Sequence, residues 1–338
     1  MKGKRLEVIL GSITLVVTVV ALSLIAGCAK PAPPSAAVTL KAVTFIPQTH
    51  INTRAFWALV DLINEKGKGK LTIQYVGGPE AIPTFEQATA VKNGVVDMAL
   101  LPASFYEGML PTVIALKMSQ LSPTEERQTG AWKAMQEVHN KVGFYVLGRT
   151  IPRHDVWETY YICTTKRVTK LTELAGQKIS DSEIAPNWMG SLGLTIVRMR
   201  PEERYTAVER GTLEGVCTPI QGIVGEHLEE VIKYIIDFPF LQDNQVVIMN
   251  LDSWNRLPKD CQDLMLEAQL QHERDWPAVY DKQNKEAWQK CLDAGVQIIK
   301  ISPEERDKAL KDIYEMEWTA IIKKYPDIGL ALSKLFSK

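Results

Sequence analysis

The sequence lacks a surplus of charge of either sign. Its 338 residues include 39 Lys and Arg against 40 Asp and Glu, which gives a formal net charge of −1. Proteins that bind nucleic acid use a basic excess to neutralise phosphates, so this balance argues against a nucleic-acid partner. With 46% hydrophobic and 23% charged residues, the chain can fill the cores of one or two folded domains.

The sequence also has no recognisable motif for catalysis or for metal or cofactor binding. It contains no GxGxxG, GxxxxGK[ST] or GxSxG pattern, and its five histidines lie outside HExxH and CxxC contexts. The pair His154-Asp155 could supply a base and its orienting carboxylate, but adjacent side chains rarely face each other. These absences predict a protein that is not an enzyme and needs no cofactor or metal. An exported enzyme stays open as an alternative.

Cysteines are few, and their spacing is not that of a disulfide framework. Apart from Cys28, the chain contains Cys163, Cys217, Cys261 and Cys291. Four cysteines allow three disulfide pairings, and the sequence selects none of them. We therefore expect buried free thiols.

The one long apolar run lies at the amino end. The charged start MKGKR is followed by Val8 to Leu24, which has almost no polar side chain. This order is typical of a secretory signal. The run is also close to the roughly 18 residues that can span a bilayer, so an uncleaved anchor helix is the alternative. No second run is long enough to span a membrane, so the chain is not itself predicted to be a permease.

The end of the apolar run, Ile25-Ala26-Gly27-Cys28, resembles the lipobox of bacterial lipoproteins. In those proteins the signal is cut before a cysteine that then carries a lipid. The resemblance predicts a signal peptide over residues 1–27, a lipid on Cys28 and a lipid-anchored tether over residues 28–38. The proline-rich stretch AKPAPPSAA suits an extended tether. The rest of the chain is then extracytoplasmic and held at a membrane.

Beyond the tether, short β-type runs alternate with helical runs, which predicts an α/β fold. The clearest strands are Leu40 to Pro47, Leu71 to Gly78, Val95 to Pro102, and Asn244 to Leu251 as the last. Ser122-Pro123-Thr124-Glu125 has the order of an N-cap, an N1 proline and an N3 glutamate. It predicts a helix to about Val142. From Pro258 onward the pattern predicts nearly continuous helix, with a second capping box at Ser302-Pro303-Glu304-Glu305.

One long stretch resembles the DctP family, the extracytoplasmic solute receptors of TRAP transporters. It reads LTELAGQKISDSEIAPNWMGSLGLTIVRMRPEERYTAVERGTLEGVCTP. The segments GGPEAIPTFEQATAVKNGVVDMALLPASFYEGMLP and NLDSWNRLPKDCQDLMLEA are also similar to the family pattern. The resemblance covers roughly Leu40 to Ala268. Its matching positions in the long stretch are Leu174, Gly176, Lys178, Ile179, Leu192, Gly193, Val197, Met199, Glu203, Tyr205, Gly211 and Gly215, with Glu214 in place of the usual Asp. Glu214 is also a candidate ligand contact.

This resemblance implies a two-lobed, periplasmic-binding-protein type II-like fold with a ligand cleft between the lobes and a helical C-terminal tail. We predict residues 39–148 with about 242–282 as the first lobe, and 149–241 with about 283–338 as the second. The implied function is capture of a small organic solute, an organic acid or an aromatic one, and its delivery to TRAP-type permease subunits. A receptor for an ABC importer or for a sensor kinase is the alternative.

The sequence departs from the family where most members hold a solute carboxylate. The arginine that ends the family's KiR strand is replaced by Ser180, which offers one hydrogen bond and no charge. Arg198, near the end of the predicted strand LTIVRM, and Arg153, in IPRHD, are the candidate replacements. A surface salt bridge is the ordinary alternative for each.

Aromatic side chains occur at the loops and strand ends that a cleft would use. In the ordinary case several of them belong to the core. Their number nevertheless favours a bulky or aromatic solute. The candidates are Phe45, Phe85, Tyr106, Trp157, Trp188, Phe238 and Phe240.

Overall fold

The computed structural model describes residues 37–150, 159–181, 184–242 and 245–337. The predicted signal peptide and the candidate residues Cys28, Arg153 and Trp157 lie outside these residues. The strands are β1 (Val38–Thr44), β2 (Leu71–Gly77), β3 (Met98–Pro102), β4 (Phe144–Arg149), β5 (Tyr160–Thr164), β6 (Lys178–Ser180), β7 (Thr195–Val197), β8 (Gly215–Pro219), β9 (Tyr234–Ile236), β10 (Gln245–Asn250) and β11 (Gln297–Ile299).

The helices connect these strands and make up most of the carboxyl-terminal part. They are α1 (Arg54–Lys66), α2 (Gln87–Lys92), α3 (Pro123–Thr129), α4 (Ala131–Asn140), α5 (Pro186–Ser191), α6 (Pro201–Glu209), α7 (Ile220–Gly225), α8 (Leu251–Arg256), α9 (Lys259–Asp293), α10 (Pro303–Lys324) and α11 (Pro326–Phe336). Short 3₁₀ turns occupy Ile51–Thr53, Thr84–Glu86, Ala103–Tyr106, Pro111–Leu116, Leu171–Leu174 and Leu228–Glu230.

The strands form two mixed sheets, one in each lobe of the predicted α/β fold. The first has the order β2-β1-β3-β10-β4, and the second has the order β11-β9-β5-β8-β6-β7. In the first sheet β10 is antiparallel to β3 and β4, while β1 is parallel to β2 and β3. In the second, β5 is antiparallel to β8 and β9. The exact lobe boundaries stay a prediction.

The chain crosses between the two sheets after β4 and returns before β10. The two crossings pair with each other, since Tyr160 and Phe240 form an antiparallel bridge and Thr159 donates its N–H to the Leu241 carbonyl at 2.8 Å. The long helix α9 is a third connection, because it packs on α1 and β4 and then on α7. The end of the chain is a further connection, because α10 packs on α5 and α11 packs on the turn Pro111–Leu116. Within the described residues, these connections hold the lobes side by side.

The interior of both lobes is apolar and includes the cysteines. Cys163, Cys217, Cys261 and Cys291 are buried free thiols. Burial raises the pKa of the Cys163 thiol well above its ordinary value, so it stays protonated and unreactive. None of the helices in the described residues is long and apolar enough to cross a membrane.

Three predicted elements differ from the structure. The helix expected from Ser122 to Val142 breaks into α3 and α4 at Gly130, whose φ of 86° is left-handed. The region after Pro258 contains the short strand β11, which joins the second sheet beside β9. Finally, Ser302 caps α10, but the Glu305 carboxylate accepts from the Leu171 N–H at 2.7 Å instead of closing a capping box.

Candidate functional site

The strand ends of the two sheets face each other across a cleft. Strands β1 and β3 are parallel and end at the same edge, where the antiparallel β10 begins, because Gln245 pairs with Pro102. In the second sheet, β8 ends at Pro219, which pairs with the first residue of β5, Tyr160. In open α/β sheets the carboxyl ends of strands are the usual place for a ligand.

A small enclosed space, here called the inner chamber, lies between these edges. Its volume is about 30 Å³, which leaves room for about one or two water molecules and none for an organic acid. Both lobes contribute to its wall. The lining residues are Phe45, Ile46, His50, Asn52, Pro102, Phe105, Tyr160, Pro201, Arg204, Thr218, Pro219, Glu226 and Gln245.

The inner chamber contains a buried ion pair. Arg204, from α6, is 3% exposed, and its Nη1 lies 3.2 Å from Oε1 and 3.5 Å from Oε2 of Glu226, whose side chain is 8% exposed. Burial raises the pKa of the Glu226 carboxyl to about 7, although the Arg204 guanidinium opposes this change. Near pH 7, Glu226 is therefore close to the point at which it changes between its charged and neutral forms.

His50 adds a hydrogen-bond donor from the first lobe. Its Nδ1 accepts from the Asn52 N–H at 3.1 Å, so the proton of the neutral ring is on Nε2. Within the described residues this Nε2 has no hydrogen-bond partner. Burial, helped by Arg204, lowers the pKa of His50 to about 4, which keeps the ring neutral at physiological pH.

His50 also marks where the lobes touch. A Cβ added to Gly225, at the end of α7 in the second lobe, would lie 2.4 Å from Cε1 and 2.5 Å from Nε2 of the His50 ring. The absence of a side chain at Gly225 is therefore what lets the lobes close to this distance.

A larger open space, here called the outer chamber, adjoins the inner one. It has a volume of about 870 Å³, within the range of small-molecule sites. Ile46, His50, Pro201 and Glu226 line both chambers. The remaining walls are Pro47, Thr49, Ile51, Arg54, Glu202, Tyr205, Thr206, Val224, Gly225, His227 and Glu230.

Three phenylalanines of the first lobe form one aromatic surface at the cleft. The Phe105 ring lies 5.7 Å from Phe45 and 5.0 Å from Phe85, centroid to centroid, in edge-to-face arrangements. The guanidinium of Arg198, after β7, lies over the Phe85 ring at 4.4 Å from its centroid. Arg198 and Phe85 thus bridge the two lobes through a cation–π contact.

Five of the predicted ligand contacts are buried and line neither chamber, namely Ser180, Trp188, Phe238, Phe240 and Tyr106. Ser180 ends β6 and is fully buried, and its Oγ has no hydrogen-bond partner within the described ranges. Trp188 packs against Phe238 in the second lobe, with 5.9 Å between the ring centroids. Tyr106 is in the interior of the first lobe, where its hydroxyl lies 2.9 Å from His139 Nε2. Burial also raises the pKa of this phenol.

Glu214 lies at the opposite end of the second sheet from the cleft. Its Oε2 accepts from the Lys178 N–H at 2.7 Å, and this bond lowers the pKa of the carboxyl. The bond ties the amino ends of β6 and β8 together. The structure therefore brings Phe45, Phe85 and Arg198 to the cleft edge, and places Glu214 elsewhere.

The residues of the inner chamber that sequence reasoning missed are Arg204, Glu226, His50 and Gln245. Arg204 sits in the charged run PEER, which suggests a solvent-exposed turn. One signal was available, because Ala207 and Val208 follow three and four residues later on the same helix face and are buried.

A protein-family model that matches most of the chain identifies the family. The model of the DctP family, described as "Bacterial extracellular solute-binding protein, family 7", matches residues 42–324. The chain belongs to this family. The resemblance read from the sequence is thereby confirmed, as is the two-lobed α/β fold. DctP-family proteins are receptors for solutes rather than enzymes.

Individual relatives are distant in sequence and close in fold. A monocarboxylate 2-oxoacid-binding periplasmic protein of Nostoc is 23% identical over 291 residues, which cover 77% of this DctP-family chain and 78% of the relative. A TRAP periplasmic solute-binding protein of Desulfovibrio salexigens with bound orotic acid has a TM-score of 0.78 at 19% identity, covering 88% and 97% of the two chains. One from Rhodoferax ferrireducens with bound malonate gives 0.75 at 17% identity, covering 88% and 96%.

Proposed function

We propose that this DctP-family protein is the receptor of a TRAP-type uptake system, which captures a small organic acid between its lobes and delivers it to a membrane permease. The observation that carries the proposal is the arginine buried at the junction of the lobes. Arg204 is 3% exposed and lines the inner chamber. A buried guanidinium matches a carboxylate in charge and in hydrogen-bond geometry.

The relatives support this solute class. Orotic acid, malonate and 2-oxoacids, which appear in the names of three similar proteins, all contain a carboxylate. Since Ser180 cannot supply a charge, Arg204 takes the part that the KiR arginine has in other members. His50 Nε2–H, from the opposite lobe, is a second donor for the same carboxylate.

The rest of the solute meets the aromatic surface of Phe45, Phe105 and Phe85. Arg198 closes over Phe85 and serves as a latch between the lobes. Lobes that meet through such contacts can part by a hinge motion at the crossing segments. The left-handed Leu241, with φ of 53°, lies in the returning one.

A thermal-shift screen tests the solute class. The mature protein is heated with pyruvate, malonate or orotate, and with glycerol as the neutral control. A carboxylate at 100 times its Kd should add about 2.7 kcal/mol to the free energy of unfolding. Stabilisation by glycerol and by no carboxylate would contradict the proposal. Conversion of a solute into a product, in proportion to protein concentration, would contradict the receptor assignment as a whole.

We also propose that Cys28 carries the lipid that holds the receptor at the membrane. Cys28→Ala should abolish labelling by a radioactive fatty acid and stop cleavage before residue 28, while Cys261→Ala serves as the cysteine control. Unchanged labelling of the Cys28→Ala protein would refute the anchor and favour the uncleaved helix.

A further inference from the structure

We propose that the Glu226 carboxylate is a built-in stand-in for the carboxylate of the solute. In the ligand-free receptor it neutralises Arg204. On binding, the carboxylate of the solute takes its place on the guanidinium, and Glu226 turns toward the outer chamber and takes up a proton from solvent. This inference rests on the proposed function, and it adds how that site is kept ready and how pH controls it.

The geometry of the pair is that of an exchangeable contact. Both oxygens of Glu226 approach a single nitrogen of Arg204, at 3.2 and 3.5 Å, rather than forming the parallel fork of two short bonds. Charge-assisted bonds of this type are normally about 2.7–2.9 Å long. A solute carboxylate that used the guanidinium as a fork would therefore form a better pair than Glu226 does.

Glu226 is also placed where it can leave. It is the residue that ends α7, and the next residue, His227, adopts a left-handed conformation with φ of 56°. Because Glu226 lines both chambers, rotation of its side chain is enough to move the carboxylate from one to the other. The inner chamber, at about 30 Å³, cannot hold the solute carboxylate and the Glu226 carboxylate together.

The charges around Glu226 decide whether it gains a proton when it leaves Arg204. Among the described residues, the titratable side chains around it are Arg204, Glu202 and Tyr205 on α6, His50 and Arg54 from the first lobe, His227 and Glu230 beyond α7, and Cys163 on β5. Arg204 is the group that lowers the pKa of Glu226, while burial and Glu202 raise it. Displacement from Arg204 removes the contact that lowers this pKa and brings the carboxylate toward Glu202 and Glu230 of the outer chamber, whereas greater exposure acts in the opposite direction; we expect the negative charges to prevail, so that displaced Glu226 is protonated near neutral pH.

The direction in which carboxylate affinity changes with pH follows from this protonation of Glu226. Binding is accompanied by proton uptake wherever free Glu226 is ionised and displaced Glu226 is protonated. Affinity for a carboxylate should thus be highest below pH 7 and fall above it, by up to about tenfold per pH unit for one proton. His50, with its pKa lowered to about 4, is neutral in this range and does not produce the effect.

Chemical rescue tests the exchange without knowledge of the natural solute. Glu226→Ala removes the stand-in and leaves Arg204 facing a space of carboxylate size. Sodium acetate, compared with sodium chloride at equal ionic strength, should raise the Tm of Glu226→Ala more than that of the wild type. Glu209→Ala, an exposed glutamate on the same helix as Arg204, is the control and should respond as the wild type does. The double variant Arg204→Ala, Glu226→Ala should lose the response.

Calorimetric titration with malonate, pyruvate and orotate between pH 6 and 9 tests the proton. Glu226→Gln should bind more tightly than the wild type at pH 8 and should have a flat pH profile. Because imidazoles as a class titrate near neutrality, the profile should also be measured in His227→Gln, where it should persist.

Two results would overturn the inference. One is an equal acetate response in the wild type, Glu226→Ala and the double variant. The other is weaker carboxylate binding by Glu226→Gln, which would make Glu226 a direct contact of the solute. If acetate rescues Glu226→Ala but no organic acid stabilises the wild type, the proposed function fails, and the rescue shows only that Arg204 accepts a carboxylate in place of Glu226. If organic acids bind and acetate has no specific effect, the exchange fails alone.

Discussion

The part of the chain that the structure describes contains two buried arginine–glutamate pairs, and they differ in what surrounds them. In the first lobe, Arg149 and Glu126 are 2% and 0% exposed and lie 2.6 Å apart. In the cleft, Arg204 and Glu226 are 3% and 8% exposed and lie 3.2 Å apart. The first pair is short and enclosed by packed helices and sheet. The second is longer, and both of its residues line the inner chamber, while Glu226 also lines the outer one.

The comparison shows that burial of an arginine does not by itself identify a binding site. Arg149 is held at the end of β4 beside Gln269, whose amide donates to the Arg149 carbonyl at 2.8 Å. Gly148 must lack a side chain for Gln269 to fit, since a Cβ there would lie 2.2 Å from its amide. Such a site has no room for a ligand. Arg204, in contrast, lines a cavity, and its partner Glu226 also lines a second, larger one.

The largest expected effect is a loss of stability when the Arg149–Glu126 pair is broken. Arg149→Met should lower the free energy of unfolding by about 3–5 kcal/mol, because it leaves Glu126 charged and buried without its partner. Urea unfolding measures this loss. Adding Glu126→Leu should recover most of it, since the uncompensated charge is then removed. Carboxylate affinity of the folded double variant should equal that of the wild type, and a loss of affinity would erase the distinction between the two pairs.

Arg204→Ala should affect carboxylate affinity rather than stability. We expect carboxylate binding to weaken by about ten- to a hundredfold, because a charge-assisted hydrogen bond contributes about 1.5–3 kcal/mol. Arg204→Lys should recover part of the affinity, since it keeps the charge and loses the planar fork. Arg210→Ala, an exposed arginine at the end of the same helix, is the matched control for calorimetry. Equal affinities of the Arg204→Ala and Arg210→Ala proteins would contradict the assignment.

Gly225→Ala tests whether carboxylate binding at Arg204 requires the two lobes to be closed. The added methyl would collide with the His50 ring, whose position is fixed by its Nδ1 bond to the Asn52 backbone. Overpacking of this kind costs about 1–3 kcal/mol, so affinity should fall by about 5- to 150-fold. The second lobe itself should stay intact, because Gly225 is helical and has no left-handed φ. Wild-type affinity would show that binding does not require this contact.

Arg198→Ala should have the smallest effect. Its cation–π contact with Phe85 is exposed, and such contacts contribute about 0.5–1 kcal/mol, or about two- to fivefold in affinity. Phe85→Leu should give the same loss, and the double variant should add nothing further if the two residues act as one latch. A hundredfold loss in Arg198→Ala with no change in Arg204→Ala would exchange their roles.

Much of the scaffold could be predicted from the sequence. The strands β1, β2, β3 and β10 are apolar runs bounded by turn residues, and Gly143 lies in the turn between α4 and β4 with the left-handed conformation that glycine favours. The short strands β9 and β11 could not be predicted, because three residues carry no periodicity. They exist because they extend the second sheet, in which β9 pairs with β5 and β11 pairs with β9 at the edge.

The candidate site was harder to predict than the fold. Phe45, Phe85 and Arg198 lie at strand ends or loops, where chain order alone places them near a cleft. Arg204 and Glu226 come from different helices, and their pairing depends on tertiary packing that local sequence does not encode. His50 needs the opposite lobe as well, because its neighbour Gly225 is 175 residues away in the chain.

A crystal structure with a carboxylate that stabilises the protein tests the central claim most directly. The account predicts the carboxylate of the solute about 3 Å from the Arg204 guanidinium, with the Glu226 side chain turned into the outer chamber. An intact Arg204–Glu226 pair, with the solute carboxylate bound to Arg198 or to Ser180 instead, would contradict it.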